Sequence, residues 1–127
     1  DPNPGTAFRV SEDGSYEVLR GYYYFKQLTR AGQPGMAVAK AFAMDSEVAV
    51  IGFARNGTRH PDAFVVANLG KDKKIAVKVA GAGSDSFEVF RTTDEKDRCE
   101  QVGRATLEND MIVFNAPAQS ATTFLAQ

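Results

Sequence analysis

The 127-residue sequence has no tryptophan, one cysteine (Cys99) and one histidine (His60). A single cysteine excludes an internal disulfide framework and any cysteine-based zinc site. A single histidine leaves little room for histidine–metal or histidine-base chemistry. An excess of charge is also missing, since fifteen Lys and Arg against sixteen Asp and Glu leave a net charge of -1. A nucleic-acid partner would call for a basic excess or stripe, so none is expected. No apolar run approaches the ~18–20 residues that span a bilayer, and Asp1–Thr6 carries no signal-peptide pattern. No membrane partner is expected either.

What is present suits one folded domain. Hydrophobic residues make up 43% and charged residues 24%, close to the globular average. A chain of this length buries roughly two-thirds of its unfolded surface, so its core needs no disulfide or metal. Asp1–Gly14 holds two prolines and two glycines without apolar periodicity, and it reads as a linker or arm. The module proper is expected over Ser15–Gln127.

Val18, Tyr22 and Phe25 recur at helical spacing, as do Leu19 and Tyr23. Ser15 is a candidate N-cap, and Gly21 weakens the first turns, so the expected helix covers about Arg20–Arg30. Gly32 and then Pro34-Gly35 stop it. The rest reads as strands over Met36–Phe42, Val48–Ala54, Ala63–Asn68, Ile75–Ala80, Phe87–Thr92, Glu100–Arg104, Met111–Asn115 and Ala121–Ala126. Turn chemistry separates them at Asp45-Ser46, Asn56-Gly57, Gly70–Asp72, Gly81–Ser86, Glu108–Asp110 and Ala116–Gln119. The fold class is therefore all-β with one N-terminal helix, an antiparallel β-sandwich of about eight strands. A helix before an all-β run is an unusual order, and it looks like the end of something larger.

The run Gly21-Tyr22-Tyr23-Tyr24-Phe25 through Gln33-Pro34-Gly35 resembles the last barrel helix of glycoside hydrolase family 30. Val48–Ala54 with Val65-Val66-Ala67-Asn68 is similar to that family's first sandwich hairpin, and Phe90-Arg91-Thr92-Thr93 to its aromatic-Arg-Thr strand end. Pro117-Ala118-Gln119-Ser120-Ala121-Thr122-Thr123 resembles the closing strand shared by several clan A glycosidases. The resemblance covers Tyr16–Gln127 and implies a C-terminal accessory sandwich, or a carbohydrate-binding module derived from one. The family's catalytic carboxylates lie in a (β/α)8 barrel, for which this chain has no room. No catalytic residue carries over, and no enzyme activity is expected. The implied partners are a polysaccharide or oligosaccharide and a catalytic barrel, in cis or in trans. The implied location is secreted or periplasmic.

The carboxylates support the same reading. Glycosidases need two about 5–10 Å apart, whereas Glu12-Asp13, Asp45/Glu47, Asp94–Asp97 and Glu108/Asp110 fall in loops among lysines and arginines, as a solvated surface does. Asp94–Asp97 offers oxygen atoms to a calcium ion but lacks the Asx/Gly alternation of a calcium loop, so no cofactor is expected. Cys99 reads as a small buried hydrophobe. Gly81-Ala82-Gly83 lies between two strands, not ahead of a helix, which disfavours a phosphate-cradling role.

Sugar binding needs an aromatic face for the C–H side of a pyranose and planar polar groups for its hydroxyls. Three consecutive tyrosines on a helix point about 100° apart, so they cannot share one buried face. Tyr22 and Phe25 are expected to pack on the sandwich, while Tyr23 and Tyr24 are the stacking candidates. The Arg55–Asp62 connection supplies a polar rim through Arg55, Asn56, Arg59, His60 and Asp62. Its ordinary reading is a hairpin loop turned by Asn56-Gly57 and stiffened by Pro61. Asn56-Gly57-Thr58 also matches the glycosylation acceptor pattern. Two functions remain open here: weak binding of a plant-type polysaccharide such as a β-glucan or xylan, or purely structural bracing of a barrel. The resemblance further implies that the sandwich takes a strand from upstream of the barrel. Unless Thr6–Val10 fills that edge, an unpaired edge is expected to drive self-association.

Overall fold

The structure is a computed structural model and describes residues 6–127. Ten strands and one helix follow in the order β1 (Phe8–Val10), β2 (Tyr16–Val18), α1 (Arg20–Ala31), β3 (Ala37–Ala39), β4 (Val48–Ala54), β5 (Ala63–Asn68), β6 (Lys73–Lys78), β7 (Ser86–Thr93), β8 (Arg98–Thr106), β9 (Met111–Ala116) and β10 (Ser120–Ala126). The main sheet has six strands in the order β3-β4-β5-β10-β7-β8, β6 and β9 form a second sheet, and β1 and β2 a third. Every pairing is antiparallel. The eight expected strands are β3–β10, with shifted ends. β3 is the shortest of these, because Lys40 and Phe42 of its expected span are exposed and unpaired.

The C-terminal strand β10 occupies the middle of the main sheet, between β5 and β7. Its residues Ser120–Phe124 are all buried, as expected where both faces are covered. Strand alternation divides the core into two layers. Phe64, Val66, Phe87, Val89, Ile112 and Phe124 pack between the main sheet and β6–β9. There the Phe64 and Phe124 rings stack at 4.5 Å, and Phe114 meets Phe124 edge-on. Ala63, Val65 and Ala121 face the other way and pack with Ala31 beneath α1.

Two expectations about the N-terminal region need correction. Ser15 does not cap the helix: α1 starts after Leu19, whose side chain provides no capping bond. Ser15 is instead tied to Asp13, which accepts from both its amide and its hydroxyl. Nor does Thr6–Val10 reach an edge of the main sheet. Phe8–Val10 pairs with Tyr16–Val18 in a separate hairpin, Phe8 opposite Val18, turned through Ser11–Gly14. The arm reading of Asp1–Gly14 thus holds a strand, and residues 1–5 lie outside the described residues.

The other end of α1 is set by close packing. A Cβ built on Gly32 would stand 2.5 Å from Cε1 of Phe53. Only the missing side chain lets the helix end this close to β4. Asn56-Gly57 turns the β4–β5 loop with both residues at positive φ, and Asn109-Asp110 does the same between β8 and β9.

Candidate functional site

The inner face of α1 meets the sheet through polar side chains. Gln27 is fully buried; its Nε2 donates to Thr92 Oγ1 at 2.9 Å, and its Oε1 accepts from Thr123 Oγ1 at 2.6 Å. Thr92 Oγ1 also accepts from the Cys99 amide and donates to the Tyr23 carbonyl. Among the described residues no buried side-chain polar atom lacks a partner, so the network meets the cost of desolvating its members. Cys99 sits in a bulge of β8 with φ 58°. Burial pushes its thiol pKa up, partly opposed by Arg30 and Lys26, so it is not poised as a thiolate.

The stacking candidates fare unequally. Tyr24 is half-buried, and its hydroxyl shares its one proton between Asp94 Oδ1 (2.5 Å) and the Gln119 carbonyl (2.7 Å). Burial, then the Asp94 carboxylate, raises its pKa far above the usual tyrosine value. Its ring packs toward Ala121 and Val65, so it works as a latch between helix and sheet. Tyr23 meets Tyr22 edge-on at 5.2 Å, with the Arg98 guanidinium 5.8 Å from its centroid. Tyr24 is thus tied at its hydroxyl, whereas Tyr23 stays partly exposed between Tyr22 and Arg98.

The Arg55–Asp62 loop directs much of its polarity inward. Asp62 accepts from the amides of Arg55 and Gly83, joining two loops. Asn56 Nδ2 donates to the Gly35 carbonyl, and Arg55 Nε to the His60 carbonyl. His60 is half-buried and Arg59 exposed. The structure brings these five residues together, as a hairpin loop must. None of their hydrogen bonds reaches Tyr23 or Tyr24; Tyr24 meets Asp94 and Tyr23 lies beside Tyr22 and Arg98. No group of three or more His, Cys, Asp or Glu side chains among the described residues is placed to hold a metal ion. Within Asp94–Asp97, Thr93 Oγ1 accepts from the amides of Lys96 and Asp97. No helix among the described residues is long and apolar enough to cross a membrane.

Sequence reasoning missed two features. The first is the outer face of α1. Phe25 lies about 200° around the helix from Gln27, and it is 65% exposed with Leu28 beside it at 39%. Beyond Tyr22, Phe8 (5.5 Å from Tyr22) and Tyr16 (6.2 Å from Phe8) extend the aromatic surface onto the β1–β2 hairpin. Phe25 was expected to pack on the sandwich; it points away instead, because Gln27 and Ala31 fill the sheet-facing side. A helix apolar on opposite faces would have signalled this. The second feature is a pair of open clefts. Two strands cannot cover six, so β6–β9 leaves a cleft of about 700 Å³ along β4 and β6 and one of about 470 Å³ between β8 and β9.

No family model and no curated protein matches this chain. Its fold matches parts of several solved structures. A family 30 endoxylanase from Clostridium papyrosolvens superposes with a TM-score of 0.76 and 18% identity, over 87% of this chain and 28% of that one. A family 30 subfamily 8 xylanase from Clostridium acetobutylicum gives 0.78 and 18%, over 93% and 30%. The catalytic domain of xylanase C from Talaromyces cellulolyticus gives 0.63 and 16%, over 95% and 27%. The chain spans less than a third of each of these proteins, and what it shares with them is the fold of that part.

Proposed function

We propose that this chain is a non-catalytic accessory β-sandwich of a glycoside hydrolase, which braces a catalytic (β/α)8 barrel through the outer face of α1. The observation that carries this reading is the apolar surface formed by Phe25, Leu28, Phe8 and Tyr16, all exposed. One face of the helix is fixed to the sheet by a satisfied polar network. The other is left with aromatic groups, as helices are when a second layer belongs on them. The fold shared with part of each family 30 xylanase supports a barrel as that layer. The same reading places the protein outside the cytoplasm, secreted or periplasmic, with a polysaccharide as the substrate of the assembled enzyme.

The test is calorimetric titration of the domain with the separately expressed barrel of a family 30 xylanase. Saturable association is expected, with Phe25→Asp weakening it at least tenfold, since buried aromatic anchors dominate such interfaces. Equal affinity of the variant, or no association at all, would count against bracing. Weak binding of a β-glucan or xylan is the second reading, favoured by the exposed ring of Tyr16, which meets Phe8 edge-on. A titration with xylan and β-glucan oligosaccharides separates the two. Shifts at Tyr16, Tyr23 or the Arg55–Asp62 loop would support binding, and their absence would leave bracing alone.

A further inference from the structure

The smaller cleft holds a cation where a sandwich interior is ordinarily apolar. Arg91 follows Phe87 and Val89 on the inward face of β7, and its side chain spans the gap between the sheets. Its Nε donates to Thr122 Oγ1 at 3.2 Å, and its Nη2 to the Asn115 carbonyl at 3.3 Å. Both acceptors are neutral. Among the described residues the ion pairs are Arg9–Glu17 and Lys73–Asp45, so Arg91 has no carboxylate within pairing distance. Glu100 stands opposite it across the β7–β8 ladder without closing on it. Burial lowers the Arg91 pKa, and the more distant Asp97 charge opposes that shift. A half-buried guanidinium with neutral partners keeps much of its desolvation cost uncompensated.

That guanidinium lines the open cleft of about 470 Å³, together with Asn109 and Glu108 and the apolar Val102, Met111 and Phe114. Two of its five N–H donors are spent, and the remaining ones can meet a planar oxyanion. Glu108 is the one acidic residue lining it, and Arg104, opposite Glu88 in the ladder and next to inward-packed Ala105, lies on the other face of β8. We propose that the cleft between β8 and β9 is a binding subsite for a carboxylate-bearing small molecule, with Arg91 as its anchor. The carboxylate would pair with the free N–H groups of Arg91, and the rest of the ligand would lie against Val102 and Phe114. This proposal goes beyond the bracing role and does not depend on it, because α1 packs on the opposite face of the main sheet.

The test is an NMR titration of the intact domain that follows the Arg91 Nε–Hε signal and the amides of Gly103–Ala105. The probes are acetate, D-galacturonate, D-glucose and chloride at matched ionic strength. Saturable shifts at Arg91 with a carboxylate, and none with glucose or chloride, are expected. A response to both carboxylates assigns recognition to the carboxylate itself; galacturonate alone assigns it to a sugar acid, and acetate alone to small carboxylates that exclude a ring. Arg91→Lys keeps the charge but loses the planar fork, and it is expected to weaken binding roughly tenfold or more. Val102→Glu, at an exposed position lining the cleft, covers the case in which the Arg91 variant fails to fold, and it is expected to weaken binding a few-fold by like-charge repulsion of the carboxylate. Linear, unsaturable shifts, a response to chloride equal to that to acetate, or unaltered binding by Arg91→Lys would each overturn the proposal.

Discussion

At the scale of single residues, Gln27 shows how α1 is held. A fully buried amide that engages a threonine on each of two neighbouring strands fixes both the rotation and the height of the helix. Gln27→Leu is expected to destabilise the domain by about 1–3 kcal/mol, because Thr92 loses a donor to its hydroxyl and Thr123 its shortest acceptor. Urea denaturation at neutral pH measures this. Tyr24 carries a pH dependence with a definite sign. Its folded pKa is raised, so the neutral phenol is the form the fold favours, and the associated stability is complete below the unfolded pKa of about 10. That stability is lost as pH rises beyond it. Buried Cys99 acts in the same direction from about pH 8.5 upward. The urea midpoint should therefore fall on going from neutral to strongly alkaline pH, and Tyr24→Phe should flatten that fall above pH of about 10. A variant with an unchanged alkaline slope would remove Tyr24 from this role. None of these contacts was legible in the sequence. A glutamine on a helix reads as solvent-facing until the strand opposite is known to present Thr92 and Thr123, and those lie 65 and 96 residues away.

At the scale of elements, strands β3–β10 were legible because alternating or continuous apolar residues are bounded by turn residues, two of these turns holding two consecutive residues at positive φ. Asn56-Gly57 and Asn109-Asp110 are both such turns. Asp110→Gly should leave the register of β9 intact and raise stability by up to about 1 kcal/mol, since glycine adopts this conformation without strain; thermal denaturation reads the change. The end of α1 was placed correctly by Gly32, though for a reason the sequence did not contain. Gly32 has a negative φ of -104°, so the need for glycine is the Phe53 ring and not the backbone. Gly32→Ala is expected to cost about 1–3 kcal/mol by overpacking, and Phe53→Leu should recover part of it in a double-mutant cycle. The β1–β2 hairpin escaped sequence reading because each strand has only three residues. All six of those residues are exposed, so no alternation reveals them.

At the scale of the whole molecule, the main sheet carries α1 on one face, over β5, β10, β7 and β8, and is only partly covered by β6–β9 on the other. The helix in turn exposes aromatic groups to the outside. This exposure adds nothing to the stability of the isolated domain, so Phe25→Asp should change the unfolding free energy by less than about 0.5 kcal/mol while weakening partner docking. That separation distinguishes an interface residue from a core residue. The order of elements, helix then sandwich, was legible from the sequence and carried the resemblance to family 30. The latching of Tyr24 was not legible, because what a tyrosine hydroxyl meets depends on distant parts of the chain. Asp94 and the Gln119 carbonyl, which occupy Tyr24, are far away in sequence. The most direct measurement is a backbone amide titration of the labelled domain with an unlabelled family 30 barrel. Docking through α1 requires intensity loss confined to Arg20–Ala31 and the Phe8–Val18 hairpin, with the β6–β9 amides unchanged. Unperturbed α1 amides at saturating barrel, alongside saturable shifts from xylan or β-glucan oligosaccharides, would contradict bracing and establish a sugar-binding module instead.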